Sequence, residues 1–171
     1  MAMNVQAALK GQYHAALAML KQAIEQCPDD AWDGRSDSIP FWRVAYHTLF
    51  FTHLYLQPNE EAFRPWEHHC QECQFLGPLP WPPHRQPRIG RPYTKAQLLE
   101  YWEVCDGMID AAVDGLDLEA AECGFPWYRV PKLDHQIINI RHLQHHAALL
   151  SGRLRSAFGT DIPWVGKVGT D

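Results

Sequence analysis

A chain of 171 residues suits a single domain, 1–171, built around one core. Hydrophobic residues make up 46% and charged residues 20%, which excludes a disordered chain. A net charge of −5 with no Lys/Arg run excludes a nucleic-acid footprint and a basic membrane-surface helix. The N-terminal stretch is interrupted by Lys10, Gln12 and His14, and no apolar run reaches the roughly 20 residues that span a bilayer. Five irregularly spaced Cys read as reduced thiols, so the expected location is the cytoplasm. Ten His, spread from His14 to His146, are the unusual feature.

Four long segments carry a helical period. The first covers Val5 to Gln26, with Ala8, Tyr13, Ala16, Leu17, Leu20 and Ile24 on one side, and Cys27-Pro28-Asp29-Asp30 ends it. The second covers Pro40 to Leu56. Ser38 is its expected N-cap, Pro40 suits a first turn, and Gln57-Pro58-Asn59 closes it. Residues 57–93 are Pro-rich, so irregular backbone is expected there. The aromatics Phe63, Trp66, Phe75 and Trp81 favour an ordered loop packed on the helices. Such a loop suits a substrate pocket, and metal ligation is expected to need none of it.

The third helix starts at Thr94, where Thr94 and Gln97 have the spacing of a capping box. It runs to Asp114 and stops at Gly115. Leu98, Tyr101, Trp102, Cys105, Ile109 and Val113 have core spacing. A turn over Asp117 to Cys123 precedes an extended stretch, Phe125 to Pro131. The fourth helix covers Leu133 to Ala157 and ends at Gly159. Strand-like alternation is scarce. The expected fold is all-α: a four-helix bundle with a long Pro-rich crossover loop between its second and third helices.

On the fourth helix, RHLQHHAALL puts His142 and His146 four residues apart, on one face. At 100° per residue they share a side with Ile138, Leu149 and Leu150, which Leu143, Ala147 and Leu154 continue. Arg141, Gln144, Ser151 and Arg155 lie opposite, and His145 falls at the edge. On the second helix His47 lies beside Val44, Phe51 and Leu54 and points inward, whereas His53 is expected to point outward. A buried His on one helix can meet a buried pair on another and hold one divalent ion. Three imidazoles make a borderline donor set that suits Zn best, with Ni, Co or Cu open, and leave a coordination position free for catalysis.

Three features together resemble the DinB/YfiT-like metalloenzyme family: the inward His in IPFWRVAYHTLFFTHLYL, the H-x-x-x-H in RHLQHHAALLSGRLR, and the order of helices around a long crossover. The resemblance covers nearly the whole chain. It implies an up-down-down-up bundle, commonly a homodimer, whose metal ligands are His47, His142 and His146. It also implies a small-molecule substrate, with some relatives transferring low-molecular-weight thiols. Where relatives often carry a small polar residue or Gln after the last His, this chain has Ala147, Ala148 and Leu149.

Other constellations are weaker. His68-His69-Cys70-Gln71-Glu72-Cys73 contains C-x-x-C, but a zinc knuckle would lack a fourth ligand, and a redox C-x-x-C normally opens a helix beside a strand. Two thiols under an aromatic loop is the simpler reading. Cys105 faces the core, where thiols are usually inert. Arg153 could hold an anionic substrate group. No Glu or Asp lies one turn from the three His on their face. That favours a thiol S-transferase over a hydrolase, with a non-catalytic, stress-associated metal- or ligand-binding bundle as the alternative.

Overall fold

The computed structural model describes residues 4–34 and 39–168. Among these the protein is all-α, with five helices and no strand: α1 (Val5–Gln26), α2 (Asp29–Trp32), α3 (Phe41–Tyr55), α4 (Lys95–Gly115) and α5 (Lys132–Phe158). The four long helices lie within a residue of their expected ends, and α2 is a single extra turn that forms where a terminator was expected. Ser38 lies outside the described residues; Pro40 takes the N-cap position rather than the first turn.

Local chemistry explains the ends. Asn4 accepts the Ala7 N–H at 2.9 Å and caps α1. Thr94 and Gln97 form the reciprocal capping box of α4, satisfying two otherwise unpaired N–H groups and contributing about 1 kcal/mol. Gly159, at φ 68°, lets the Gly159 and Thr160 N–H groups close on the Arg155 and Leu154 carbonyls and ends α5.

Side-chain pairs give the directions. Lys10 meets Asp114 at 2.7 Å, His14 meets Asp106 at 2.7 Å, and Trp102 donates to the Leu17 carbonyl, so α1 and α4 are antiparallel. Asn139 donates to the Thr52 carbonyl, His142 faces His47, and Arg153 donates to the Ile39 carbonyl, so α3 and α5 are antiparallel too. Tyr13 donates to Gln136 Oε1 at 2.7 Å and Gln144 reaches Met19, so α1 and α5 run the same way. Trp42 packs on Tyr93, Tyr46 on Tyr101, and Cys105 donates to the Leu49 carbonyl, which makes α3 and α4 parallel.

The core joins all four long helices. Leu17, Leu20, Leu49, Leu98, Ile109 and Leu143 are fully enclosed, and each such side chain contributes about 1.5–3 kcal/mol by leaving water. α4 buries a narrow stripe, Leu98, Tyr101, Cys105, Ile109 and Val113. α3 is buried nearly all round, twelve of its 15 residues, because α4 and α5 take one side and the following segment covers the other. That segment, 57–93, holds turns and bends but no helix or strand. It inserts Trp66 and Cys73 into the core and packs Phe63 against it.

Several expectations on outward and inward faces are corrected. Ala8 is exposed and Leu9 takes its place in the core. Leu149 is exposed, because the buried face of α5 is centred on Asn139, Leu143, Ala147 and Leu150, rotated away from the expected centre. Trp81 is exposed, edge-on to Phe75. The stretch 125–131 is not extended throughout: Tyr128 N–H closes a turn onto the Phe125 carbonyl at 2.9 Å.

Candidate metal centre

α3 and α5 cross where His47 meets His142 and His146. The i, i+4 pair on α5 sets its rings edge-on with centroids 4.6 Å apart, and His47 lies 4.9 and 4.6 Å from them, ring centre to ring centre. One ring nitrogen from each His lies within 4.8 Å of those of the other two. Among the described residues no carboxylate or thiol joins this cluster. Phe51 packs against both His47 and His142 and covers them on one side.

His47 is oriented from outside its own helix. Its Nδ1–H donates to the Gln74 backbone carbonyl at 2.6 Å, so the Nε2 lone pair is the free one. That lone pair faces His142 Nε2 at 3.0 Å. Two facing imidazole nitrogens so close need either a proton on His142 Nε2 or a cation that both can ligate. Nitrogens that share a tetrahedral ion at 2.0–2.1 Å sit about 3.3 Å apart, so a small closure of the third His completes the fit. Ligating histidines usually donate their other N–H to a carbonyl or carboxylate, as His47 does. Nδ1 of His142 and of His146 is buried with no such partner.

Electrostatics keep the donors available. Burial, then the neighbouring imidazoles, hold His47 down at about 3. Burial and its two neighbouring histidines hold His146 at about 3, and burial and His145 hold His142 at about 4. All three are therefore neutral at pH 7, the form that ligates. Arg43 stands one turn before His47. Its Nη2 donates to the Phe75 carbonyl and its Nε is buried without a partner.

The sequence reading placed His53 outward; it is buried, packed edge-on to Phe63 and bonded through Nδ1 to the Tyr101 hydroxyl at 3.1 Å. The wheel assumed one solvent face on α3, and residues 57–93 remove it. His53 stays away from the cluster; the exposed His145 packs edge-on to His146, with centroids 4.9 Å apart, but is not one of the three converging rings. Arg153 lies towards Ile39. The Pro-rich segment, expected to play no part in ligation, supplies the Gln74 carbonyl that the His47 ring meets at 2.6 Å. A backbone carbonyl has no sequence signature. Arg43 did have one, its i−4 spacing from His47.

A second polar patch on α5 was also unread: His135, Gln136 and Asn139, all fully buried. Gln136 is satisfied by Tyr13 and the Tyr55 carbonyl. His135 sits among Tyr55, Phe125 and Tyr128, and neither ring nitrogen has a partner. No helix is long and apolar enough to cross a membrane among the described residues. No family model, curated protein or solved structure matches this chain.

Proposed function

We propose that the chain is a DinB-like up-down-down-up four-helix bundle that binds one divalent metal ion through His47, His142 and His146. One observation carries this reading: His47 is held by a loop carbonyl so that its free nitrogen faces His142 Nε2, with His146 closing the triangle. The pairwise helix directions support the bundle topology, with residues 57–93 as its crossover. Zn is the favoured ion, with Ni, Co or Cu as alternatives.

The reading extends to a metal-dependent enzyme acting on a small molecule, a thiol S-transferase before a hydrolase. When bound, such an ion supplies Lewis acidity that deprotonates a coordinated thiol or water near neutral pH. The protein's own groups do the rest. Three neutral imidazoles leave the ion's charge uncompensated, Phe51 covers one side, and Arg43 offers a cation beside His47 for an anionic substrate group. With no carboxylate in the cluster, an activated water would lack a general base, whereas a coordinated thiolate needs none. One observation favours a non-catalytic bundle instead. Clefts of about 610 and 620 Å³ lie along Ala148–Phe158 and along Ala121–Val130, and neither is lined by the three histidines.

The test is to load chelator-stripped protein with Zn, Ni, Co or Cu, measure stoichiometry by elemental analysis, and screen the loaded form for turnover with cellular thiols. The expected result is close to one ion per chain and turnover with at least one thiol. No bound ion refutes the centre; an ion with no turnover supports the non-catalytic reading. A homodimer is part of the same proposal and is read by light scattering.

A further inference from the structure

Cys70 and Cys73 occupy the two ends of one tight turn. The Cys73 N–H donates to the Cys70 carbonyl at 3.2 Å, the closing bond of a β-turn. Such a turn holds its end Cα atoms within about 7 Å, which overlaps the roughly 4.4–6.8 Å span of a disulfide. Glu72, the third residue of the turn, has φ 72°, a left-handed conformation that favours glycine. It is held there by its carboxylate, which takes Arg85 Nη1 at 2.9 Å and Nη2 at 2.5 Å and the Arg88 N–H at 2.7 Å. A non-glycine residue pinned in a sparsely populated conformation, between two cysteines, marks a turn whose shape is enforced.

The two thiols also differ. Cys73 is fully enclosed, whereas Cys70 is only half-buried. The Cys70 thiol and the Gly90 backbone both lie close enough to Cys73 to bear on its titration. Gly90 passes so close to Cys70 that an added Cβ would stand 3.3 Å from its sulfur. Among the described residues no third ligating side chain joins the pair, so the metal-knuckle reading has no support.

We propose that Cys70 and Cys73 are a redox-active dithiol that reduces a low-molecular-weight disulfide, with Cys70 as the attacking thiol and Cys73 as the resolving thiol. The Cys70 thiolate attacks one sulfur of the disulfide RSSR, forms a Cys70–SR bond, and displaces RS⁻, which takes a proton. The Cys73 thiolate then attacks Cys70 Sγ, forms the Cys70–Cys73 bond, and displaces the second RS⁻, which is also protonated. Two thiols lose two electrons and two protons; one RSSR becomes two RSH. The order follows from the surroundings. Burial, and then the Cys70 thiol itself, push the Cys73 thiol up to about 11, so it is a poor first attacker. Once Cys70 is capped, its raising influence is gone; burial still raises the Cys73 thiol, and the neighbouring Gly90 backbone and Arg43, both of which favour the thiolate, oppose it.

The position of this turn adds a consequence. Gln74, the next residue, supplies the carbonyl that orients His47, and Phe75 supplies the one that holds Arg43. The dithiol itself does not depend on a metal being bound.

The test uses the reduced, metal-free full chain in glutathione/glutathione disulfide buffers, quenched with acid, alkylated and mapped by peptide mass. The expected product is loss of two hydrogens as an internal Cys70–Cys73 disulfide, with Cys27, Cys105 and Cys123 still free. Cys73→Ser should stop at one glutathione on Cys70, and Cys70→Ser should leave Cys73 unmodified while the chain stays folded by circular dichroism. Wild-type chains that accumulate a glutathione adduct without the internal disulfide, or that remain reduced in the most oxidising buffer, overturn the proposal. Cys73 reacting in Cys70→Ser as fast as Cys70 reacts in the wild type overturns the assigned order.

Discussion

His142 and His146, midway along α5, and His135, nearer its start, are neutral imidazoles on the same helix, His142 half-buried and the other two buried. Burial holds all of them well below the ordinary imidazole range, at about 4, about 3 and about 4. All three carry buried ring nitrogens without partners. The difference is convergence. His142 and His146 turn nitrogens towards His47 on the facing helix, while His135 is enclosed by the rings of Tyr55, Phe125 and Tyr128. Desolvation marks both places as unusual; only a shared focus makes one of them a ligand set.

The strongest way to break this comparison is to remove nitrogens from each place in turn. His47→Ala, His142→Ala and His146→Ala should each lower metal affinity by more than about 100-fold, beyond what loss of an outer contact causes. His135→Leu, His53→Ala and His145→Ala should leave it within a few-fold. Competition against a chromophoric chelator reads the affinity, with circular dichroism confirming the fold. A loss for His135→Leu equal to that for His142→Ala would mean that burial, not convergence, is what the ion depends on.

A smaller effect is expected from the segment that serves one place and not the other. Because α3 and α4 are parallel, the chain must return along the roughly 22 Å length of α3, which about seven extended residues could span. The much longer segment used instead covers α3 and delivers the Gln74 carbonyl to His47. Inserting one Gly between Cys73 and Gln74 shifts that carbonyl while leaving the buried Trp66 in place. Metal affinity should fall 10–100-fold, the usual cost of losing a partner that orients a ligating His. Replacing 66–90 by a Gly/Ser linker should cost at least as much. Unchanged affinity in both chains would show that His47 needs no orienting carbonyl.

This contrast also explains what the sequence made legible. The stripe Leu98, Tyr101, Cys105, Ile109 and Val113 on α4 could be read from spacing, since one face meets the core and the rest meets water. The i, i+4 pair on α5 and the inward His47 could be read the same way. The wheel failed on His53, because α3 has no solvent face once residues 57–93 fold over it. On α5 the buried face is rotated from the expected one, because the polar Gln136 and Asn139 are fully buried, satisfied in part by Tyr13, the Tyr55 carbonyl and the Thr52 carbonyl. Tertiary partners of that kind have no local signature.

The finest way to sharpen the comparison is acid. An unfolded imidazole titrates near 6.5, whereas His135 in the folded chain resists protonation until about 4. Between those values the unfolded state binds the extra proton. The stability tied to His135 is therefore complete above pH 6.5 and declines as pH falls towards 4, with a slope of about 1.4 kcal/mol per pH unit. His135→Leu removes that one titration at nearly constant volume. Measured by urea unfolding of metal-free protein, the variant should lose stability on acidification less steeply than the wild type, by about one proton. At pH 7.5, where His135 is neutral in both states, the variant should match the wild type or exceed it by about 1 kcal/mol, because leucine has no ring nitrogens to strand. Added Zn should raise both midpoints equally. A variant destabilised by about 2 kcal/mol at pH 7.5 would mean that His135 is hydrogen-bonded after all, by a buried water among the aromatic rings. The two places on α5 would then differ in what satisfies them, not in whether anything does.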